Sequence, residues 1–187
     1  YKSLLNDRVA IVSVMWANNE TGTIFPVEEM AEIAHARGIQ FHTDAVQAVG
    51  KIPIDLKRSK IDMLSLSGHK LHGPKGIGVL YLRRGTRYRA LLHGGQQERA
   101  RRPGTENSPA IIGLGKAAEL VMQHFSTENQ EVRYLRDKLE KGILAKVPRA
   151  FPTGQPDRTA FPFVLWAKLL EREWRQPSWA VAGALHP

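Results

Sequence analysis

Cysteine is absent from all 187 residues of the sequence. Its absence excludes a disulfide framework, a thiolate metal site and a cysteine nucleophile within these residues. Long apolar runs are missing too, and none approaches the roughly 18 residues that a membrane-spanning helix needs. Residues 1–8 do not resemble a secretory signal peptide, because polar and charged side chains interrupt them. We therefore expect a cytoplasmic protein with no membrane partner.

Acidic residues are fewer than basic ones, with 18 Asp and Glu against 27 Lys and Arg, which gives a net charge of +9. Residues 83–102 concentrate this excess, since Glu98 is their single acid among several arginines. Such a run is usually a solvated face, although it could also form a nucleic-acid surface. Its only aromatic residue is Tyr88, and no helix-turn-helix or RNA-binding signature surrounds it. We therefore expect no nucleic-acid partner.

The remaining composition is ordinary for a globular protein, with 42% hydrophobic and 24% charged residues. Four short apolar segments predict buried strands, and helical spacing of apolar residues over 27–37 predicts a helix that Gly38 stops. This alternation predicts an α/β fold, with a mainly parallel sheet and flanking helices. The predicted strands cover residues 8–16, 39–43, 61–66 and 76–82.

The second half of the chain predicts two more helices. Residues 108–125 carry apolar side chains at helical spacing, and a capping-box pattern at 127–130 predicts the start of a separate helix. The segment 161–187 has no clear strand or helix pattern, although three of the four tryptophans fall there. We interpret this end as a foreign tail produced by a frame change; a membrane- or partner-binding helix is the alternative.

Polar side chains follow the first three predicted strands at the points where these strands end. In open α/β sheets, ligands bind in the crevice at the carboxyl ends of the strands. The residues at these junctions are Asn18, Asn19, His42, Asp44, Gln47, Ser67, His69 and Lys70.

Each of these residues also has a purely structural interpretation. Asn19 could form a turn, Asp44 could cap a helix, and Lys70 could be an ordinary exposed lysine. His69 and His72 are three residues apart, but no carboxylate accompanies them, so we expect no metal site. Taken together, the set favours carbonyl chemistry, because a lysine amine can form a Schiff base with an aldehyde.

Pyridoxal phosphate (PLP) is the cofactor that such a set would suit. It needs a lysine for its aldehyde, an acid against its pyridine nitrogen and donors for its phosphate. Lys70, Asp44, and Ser67 with His69 have the right chemistry, and Lys75 is a rival for the lysine on composition alone. Thr105, in a loop rich in Gly and Pro, could donate another hydrogen bond to a phosphate.

Five motifs, in this order and spacing, closely resemble those of the cysteine desulfurases, PLP enzymes of fold type I in the class V aminotransferase group. The sequence of residues 15–23 most resembles that of the nitrogen-fixation type of desulfurase. The resemblance runs from about residue 3 to about residue 156. The motifs are Ala-Asn-Asn-Glu-Thr-Gly (17–22), His-Thr-Asp-Ala-Val-Gln-Ala-Val-Gly (42–50), Ser-Leu-Ser-Gly-His-Lys (65–70), His-Gly-Pro-Lys-Gly (72–76) and Arg-Pro-Gly-Thr-Glu-Asn (102–107).

The resemblance implies roles for the residues around the cofactor ring. It implies that Lys70, rather than Lys75, holds the cofactor aldehyde and moves the substrate's α-proton. It implies that Asp44 pairs with the pyridine nitrogen. Gln47 would hydrogen-bond the phenolic oxygen, and Asn19 would lie near that oxygen and the substrate carboxylate.

The resemblance also implies a phosphate site and an assembly. Ser67 and His69 would bind the phosphate, and Thr105 would reach the phosphate of the neighbouring subunit in a homodimer. Residues 83–102 would then be a dimer and active-site loop. The implied reaction converts L-cysteine to L-alanine and leaves a persulfide on an enzyme cysteine. An iron–sulfur scaffold protein would accept this sulfur for the assembly of iron–sulfur clusters, which the resemblance to the nitrogen-fixation type assigns to nitrogenase.

Known desulfurases are roughly twice as long, which predicts that this chain lacks both ends of the enzyme. We expect residues 1–125 to form part of the large PLP domain, 126–156 to begin the small domain and 157–187 to be the non-family tail. Without the persulfide cysteine, we expect the chain alone to be inactive. A selenocysteine lyase or another class V PLP enzyme is the alternative, and a basic nucleic-acid-binding module is a remote one.

Overall fold

The computed structural model describes residues 1–152 and 165–167. A short 3-10 helix, Lys2–Leu4, precedes the first strand, and a second one, Gly68–Leu71, follows the third. The other elements, in chain order, are β1 (Ile11–Met15), α1 (Val27–His35), β2 (Gln40–Asp44), β3 (Met63–Ser67), β4 (Gly78–Leu82), α2 (Gln97–Ala100), α3 (Ser108–Lys146), β5 (Ala150–Pro152) and β6 (Leu165–Ala167).

Strands β1 to β4 form one sheet in the order of the chain. The first three strands are parallel, and β4 runs antiparallel to β3. Met15 lies opposite Asp44, and Asp44 lies opposite Ser65, so the three parallel strands end at one edge. This edge is where the predicted polar residues follow the strands, and the mainly parallel α/β sheet is confirmed.

The hydrophobic core lies under one face of this sheet. Successive strand residues point to opposite faces, so Phe41 and Thr43 on β2 are fully buried, while Gln40 and His42 are half-buried. Helix α1 packs against this core with three fully buried side chains. They are Val27, Ala31 and Ala34.

The opposite face of the sheet is more open. Ile11 and Met15 on β1 lie on it, with exposed fractions of 48% and 37%, and Leu80 on β4 is 46% exposed. Ser13 and His42 lie on the same face, because they are partners in the β1–β2 register. One face of the sheet is therefore covered by the core, and the face that carries His42 is partly exposed.

Helix α1 and its end agree with the prediction. The helix begins after Pro26 and ends at His35. The backbone N–H of Gly38 donates to the carbonyl of His35, and its φ of +69° lies in the left-handed region that glycine adopts easily. The four predicted strands are all present, with ends that shift by no more than three residues.

The prediction of two separate helices after residue 107 is wrong. A single helix of 39 residues, α3, runs from Ser108 to Lys146. Thr127, expected to cap a new helix, donates from Oγ1 to the carbonyl oxygen of His124 at 3.1 Å and stays inside α3. The expected domain boundary at 125/126 falls within this helix, and the division into domains stays a prediction. Within the described residues, no helix has the length and apolarity to cross a membrane.

The segment 161–187 has no clear strand pattern in the sequence, yet part of it is a strand in the structure. Residues 165–167 form β6, which pairs antiparallel with β5. The remaining residues of the predicted tail, 157–164 and 168–187, lie outside the described part of the chain.

The basic segment that follows β4 is not uniformly a solvated face. The guanidinium of Arg83 donates to three backbone carbonyls, those of Leu56 at 2.6 Å, Ile61 at 2.9 Å and Ser59 at 3.0 Å. Arg83 therefore fastens the loop before β3 to the end of β4, whereas Arg84 is exposed.

Candidate functional site

A cavity of about 210 Å³ opens at the carboxyl ends of β1, β2 and β3. It gathers four of the seven predicted site residues, although they come from three separate loops. The lining residues are Met15, Ala17, Asn19, Asp44, Val46, Gln47 and Lys70. The cavity therefore combines a carboxylate, two carboxamides and a primary amine.

The turn after β1 is built by Asn18, which leaves Asn19 free of that task. Asn18 Oδ1 accepts hydrogen bonds from the backbone N–H groups of Glu20 at 2.9 Å and Thr21 at 2.8 Å. It also accepts from the hydroxyl of Thr21 at 3.2 Å. The structural interpretation considered for Asn19 thus applies to its neighbour, and Asn19 lines the cavity.

Asp44 holds the turn that follows β2 and also lines the cavity. It is the last residue of β2, and its Oδ1 accepts from the backbone N–H of Val46 at 2.9 Å, which shapes the following turn. A carboxylate has two oxygens with about four acceptor positions in all. Asp44 can therefore hold the turn and still accept a hydrogen bond from a ligand in the cavity.

Lys70 lies in the 3-10 helix that directly follows β3. His72 ends this helix with a φ of 61°, a left-handed conformation. Among the described residues, Lys70 lines the cavity and Lys75 does not. The geometry therefore supports Lys70 as the amine of this site.

Ser67 and His69 form a pair on either side of Gly68. Ser67 Oγ lies 2.7 Å from His69 Nδ1, and the backbone N–H of Gly68 donates to the carbonyl of Ile77 at 2.9 Å. The two side chains directly precede Lys70 but are not among the residues that line the cavity. Their predicted role at a phosphate stays a prediction.

Thr105 is exposed between α2 and α3 and is not among the residues that line the cavity in the described part of the chain. It was predicted to reach the phosphate of a neighbouring subunit, and that role stays a prediction.

Lys51 is a cavity neighbour that the sequence did not single out. Its Nζ donates to Gln47 Oε1 at 2.6 Å, across the i, i+4 spacing of the turn that follows β2. Burial lowers the pKa of Lys51, and the positive charge of Lys70 lowers it further. The i, i+4 spacing was the available signal, but a lysine four residues from a glutamine is too common to be distinctive.

His42 is the second neighbour that was not assigned a role. Its Nδ1 lies 2.7 Å from Ser13 Oγ on β1, and its Nε2 lies 3.2 Å from Ser65 Oγ on β3. Burial lowers the pKa of His42, while the negative charge of Asp44 opposes this effect. The imidazole therefore links the three parallel strands two residues before Asp44.

Helix α3 braces the turn that carries Gln47 and Lys51. Gly50 has a φ of +77°, and a Cβ there would lie 2.8 Å from Val121 Cγ1 and 2.9 Å from Leu71 Cδ2. Asn129 Nδ2 donates to the carbonyl oxygen of Gly50 at 3.3 Å. Only glycine allows so close an approach of this turn to the helix.

The chain belongs to the aminotransferase class-V family, whose sequence profile matches residues 1–164. Over 157 residues it is 72% identical to "Cysteine desulfurase NifS" of Azotobacter vinelandii, and 64% identical to "Cysteine desulfurase" of Gluconacetobacter diazotrophicus. Each comparison covers 84% of this chain and 39% of the relative. The chain thus spans about two fifths of the length of these curated relatives.

Solved structures show the same fold. A structure described as "NIFS-LIKE PROTEIN" is 39% identical, with a TM-score of 0.80, over 85% of this chain and 44% of the other. DndA from Streptomyces lividans is 37% identical, with a TM-score of 0.77, over 84% of this chain and 45% of the other. These similarities confirm the predicted fold class and the predicted family.

Proposed function

We propose that this chain forms the cofactor-binding core of a PLP-dependent cysteine desulfurase. The observation that carries the proposal is the cavity where the amine of Lys70 meets the carboxylate of Asp44 and the carboxamides of Asn19 and Gln47. The identity of 72% to a cysteine desulfurase supports the substrate class.

The donor set of the cavity fits PLP. Lys70 provides the amine for the aldehyde, and Asp44 provides an acceptor for the protonated pyridine nitrogen. Gln47 and Asn19 provide groups for the phenolic oxygen. When bound, PLP supplies an electron sink that stabilises negative charge at the substrate's α-carbon.

The residues of this chain would then bind L-cysteine and move its α-proton. Lys70 acts as the general base that removes this proton and as the acid that returns one, because it is the cavity's amine. Asn19 orients the substrate carboxylate, a role that the family resemblance implies for it. The products are L-alanine and a persulfide formed from the substrate sulfur and an acceptor thiol, with no net oxidation required.

The partners follow from the same family resemblance. We propose a homodimer in which Ser67 and His69 bind the phosphate of their own subunit and Thr105 reaches the phosphate of the neighbouring subunit. An iron–sulfur scaffold protein is the proposed final acceptor of the sulfur. A cytoplasmic location is part of this proposal.

Covalent trapping of the cofactor tests the central assignment. The chain is incubated with PLP, reduced with borohydride and digested, and the modified lysine is identified by mass spectrometry. We expect the label on Lys70, loss of that label in Lys70→Ala, and normal labelling of Lys70 in the matched variant Lys75→Ala. Labelling of Lys75, or equal labelling of many surface lysines, would contradict the proposal.

A further inference from the structure

The contact between Lys51 and Gln47 fixes which end of the Gln47 carboxamide is available to a ligand. An ammonium group has three donors and no acceptor, so the Gln47 atom 2.6 Å from Lys51 Nζ must be the carbonyl oxygen. With the oxygen engaged, the NH₂ group is the free end. Within residues 1–152 and 165–167, Gln47 Nε2 donates no hydrogen bond.

We infer that Lys51 is a positioning residue, which holds the Gln47 carboxamide so that the cavity presents an N–H donor rather than a carbonyl acceptor. The inference rests on the proposed function, since the matching ligand group is the phenolic oxygen of PLP. That oxygen carries negative charge when the phenol is ionised, so a donor attracts it and a carbonyl oxygen repels it.

The surroundings of Lys51 agree with a role beyond covering apolar surface. The residue is half-buried and close to a second positive charge, that of Lys70, and both conditions disfavour its ammonium form. The short bond to Gln47 offsets part of this cost, because hydrogen bonds from charged donors are among the stronger ones. The bond thus connects an unfavourably placed charge to a residue of the cavity.

The backbone around the contact is held firmly enough for such a role. Gly50, the residue before Lys51, packs between Leu71 and Val121, and its carbonyl oxygen accepts from Asn129. A turn fixed in this way keeps the backbones of Gln47 and Lys51 at the spacing that their side-chain hydrogen bond needs.

Titration with two ligands distinguishes an effect of Lys51 on the Gln47 donor from a general disturbance of the cavity. PLP and its 3-deoxy analogue, which lacks the phenolic oxygen, are titrated into the chain and into Lys51→Met, with binding followed by absorbance and fluorescence. We expect Lys51→Met to weaken PLP roughly tenfold, the effect of losing one charge-assisted bond. Binding of the 3-deoxy analogue stays unchanged, because it has no oxygen for the Gln47 donor.

The remaining variants define the mechanism. Lys51→Arg retains a cationic donor and restores PLP affinity, and Lys57→Met, which removes an exposed lysine, has no effect. In a Gln47→Leu background, Lys51→Met causes no further loss, because its effect passes through Gln47. Equal weakening of both ligands, or an undiminished loss in the Gln47→Leu background, would overturn the inference.

The outcome also separates this inference from the proposed function. If the unaltered chain takes up PLP on Lys70 and Lys51→Met binds PLP equally well, only the inference fails. If the unaltered chain takes up no PLP, the proposed function fails and the inference falls with it.

Discussion

The hydroxyl of Ser13 on β1 lies 2.7 Å from Nδ1 of His42 on β2, and the other ring nitrogen of His42 faces the hydroxyl of Ser65 on β3. A neutral imidazole has one donor and one acceptor nitrogen, and two hydroxyl groups can satisfy both. Protonation would turn both nitrogens into donors and place a charge in a half-buried position. The strand link that precedes Asp44 therefore favours neutral His42.

The stability of the chain should consequently depend on His42 at mildly acidic pH. Burial holds the pKa of folded His42 below the ordinary value of 6.5. Between the lowered pKa of the folded chain and 6.5, the unfolded chain binds more protons. The contribution of neutral His42 to stability is therefore fully present above about pH 6.5, and it is lost as the pH falls below that value towards the folded pKa. Denaturant unfolding from pH 5 to 8 should show the loss, and His42→Gln should reduce it. An equal slope in both proteins would contradict this.

Gly50 and Gly38 offer a matched pair for the packing of the turn against α3. Both have positive φ, but a Cβ at Gly38 would meet nothing within 4 Å, whereas one at Gly50 would clash with Leu71 and Val121. We expect Gly38→Ala to lower the free energy of unfolding by about 1 kcal/mol from backbone strain alone. Gly50→Ala should cost about 2 kcal/mol more, because overpacking is added. Equal losses in chemical denaturation would argue against tight packing at Gly50.

Substitutions of Asn18 and Asn19 should have different effects, the first on the stability of the chain and the second on ligand binding. Asn18→Ala removes an acceptor used by Glu20 and Thr21, which should lower the free energy of unfolding by about 1–2 kcal/mol. Asn19→Ala should leave stability nearly unchanged and weaken PLP binding. Thermal unfolding without PLP and titration with PLP measure the two effects. Similar thermal losses in the two variants would show that Asn19 also holds the turn.

The 187-residue chain contains no thiol that could accept sulfur. With PLP and L-cysteine, we therefore expect it to form no protein persulfide, even where Lys70 is labelled by the cofactor. Mass spectrometry of the intact protein checks this, and a colorimetric sulfide assay with added reductant checks for release to solution. Sustained release of sulfide above that from free PLP would contradict the expectation and show that this chain suffices for desulfuration.

Much of the cavity could be predicted because it follows from a general property of parallel sheets. Strands that run the same way end at the same edge, so polar residues after successive strands converge without detailed knowledge of packing. Asn19, Asp44, Gln47 and Lys70 converge in this way. Lys51 escaped prediction because its importance depends on half-burial and on the charge of Lys70, which the sequence does not reveal.

One wrong prediction and one unpredicted strand in the second half of the chain have local causes. The pattern at Thr127 satisfies the rules for a helix start, but a threonine hydroxyl can also bond to a carbonyl one turn back and remain within a helix. Strand β6 has few residues, and its partner β5 lies more than ten residues earlier in the chain. Short strands that depend on a distant partner carry little signal of their own.

The close approach of Gly50 to α3 couples two properties of this chain, the affinity of the cavity for a ligand and the docking of α3 on the turn. Val121 and Asn129 of the helix contact the turn that carries Gln47 and Lys51 and help to hold its shape. Any molecule that prefers the ordered turn therefore also favours the docked helix, and the coupling is reciprocal. A change that loosens α3 near Val121 should therefore lower affinity at the cavity without touching any residue that lines it.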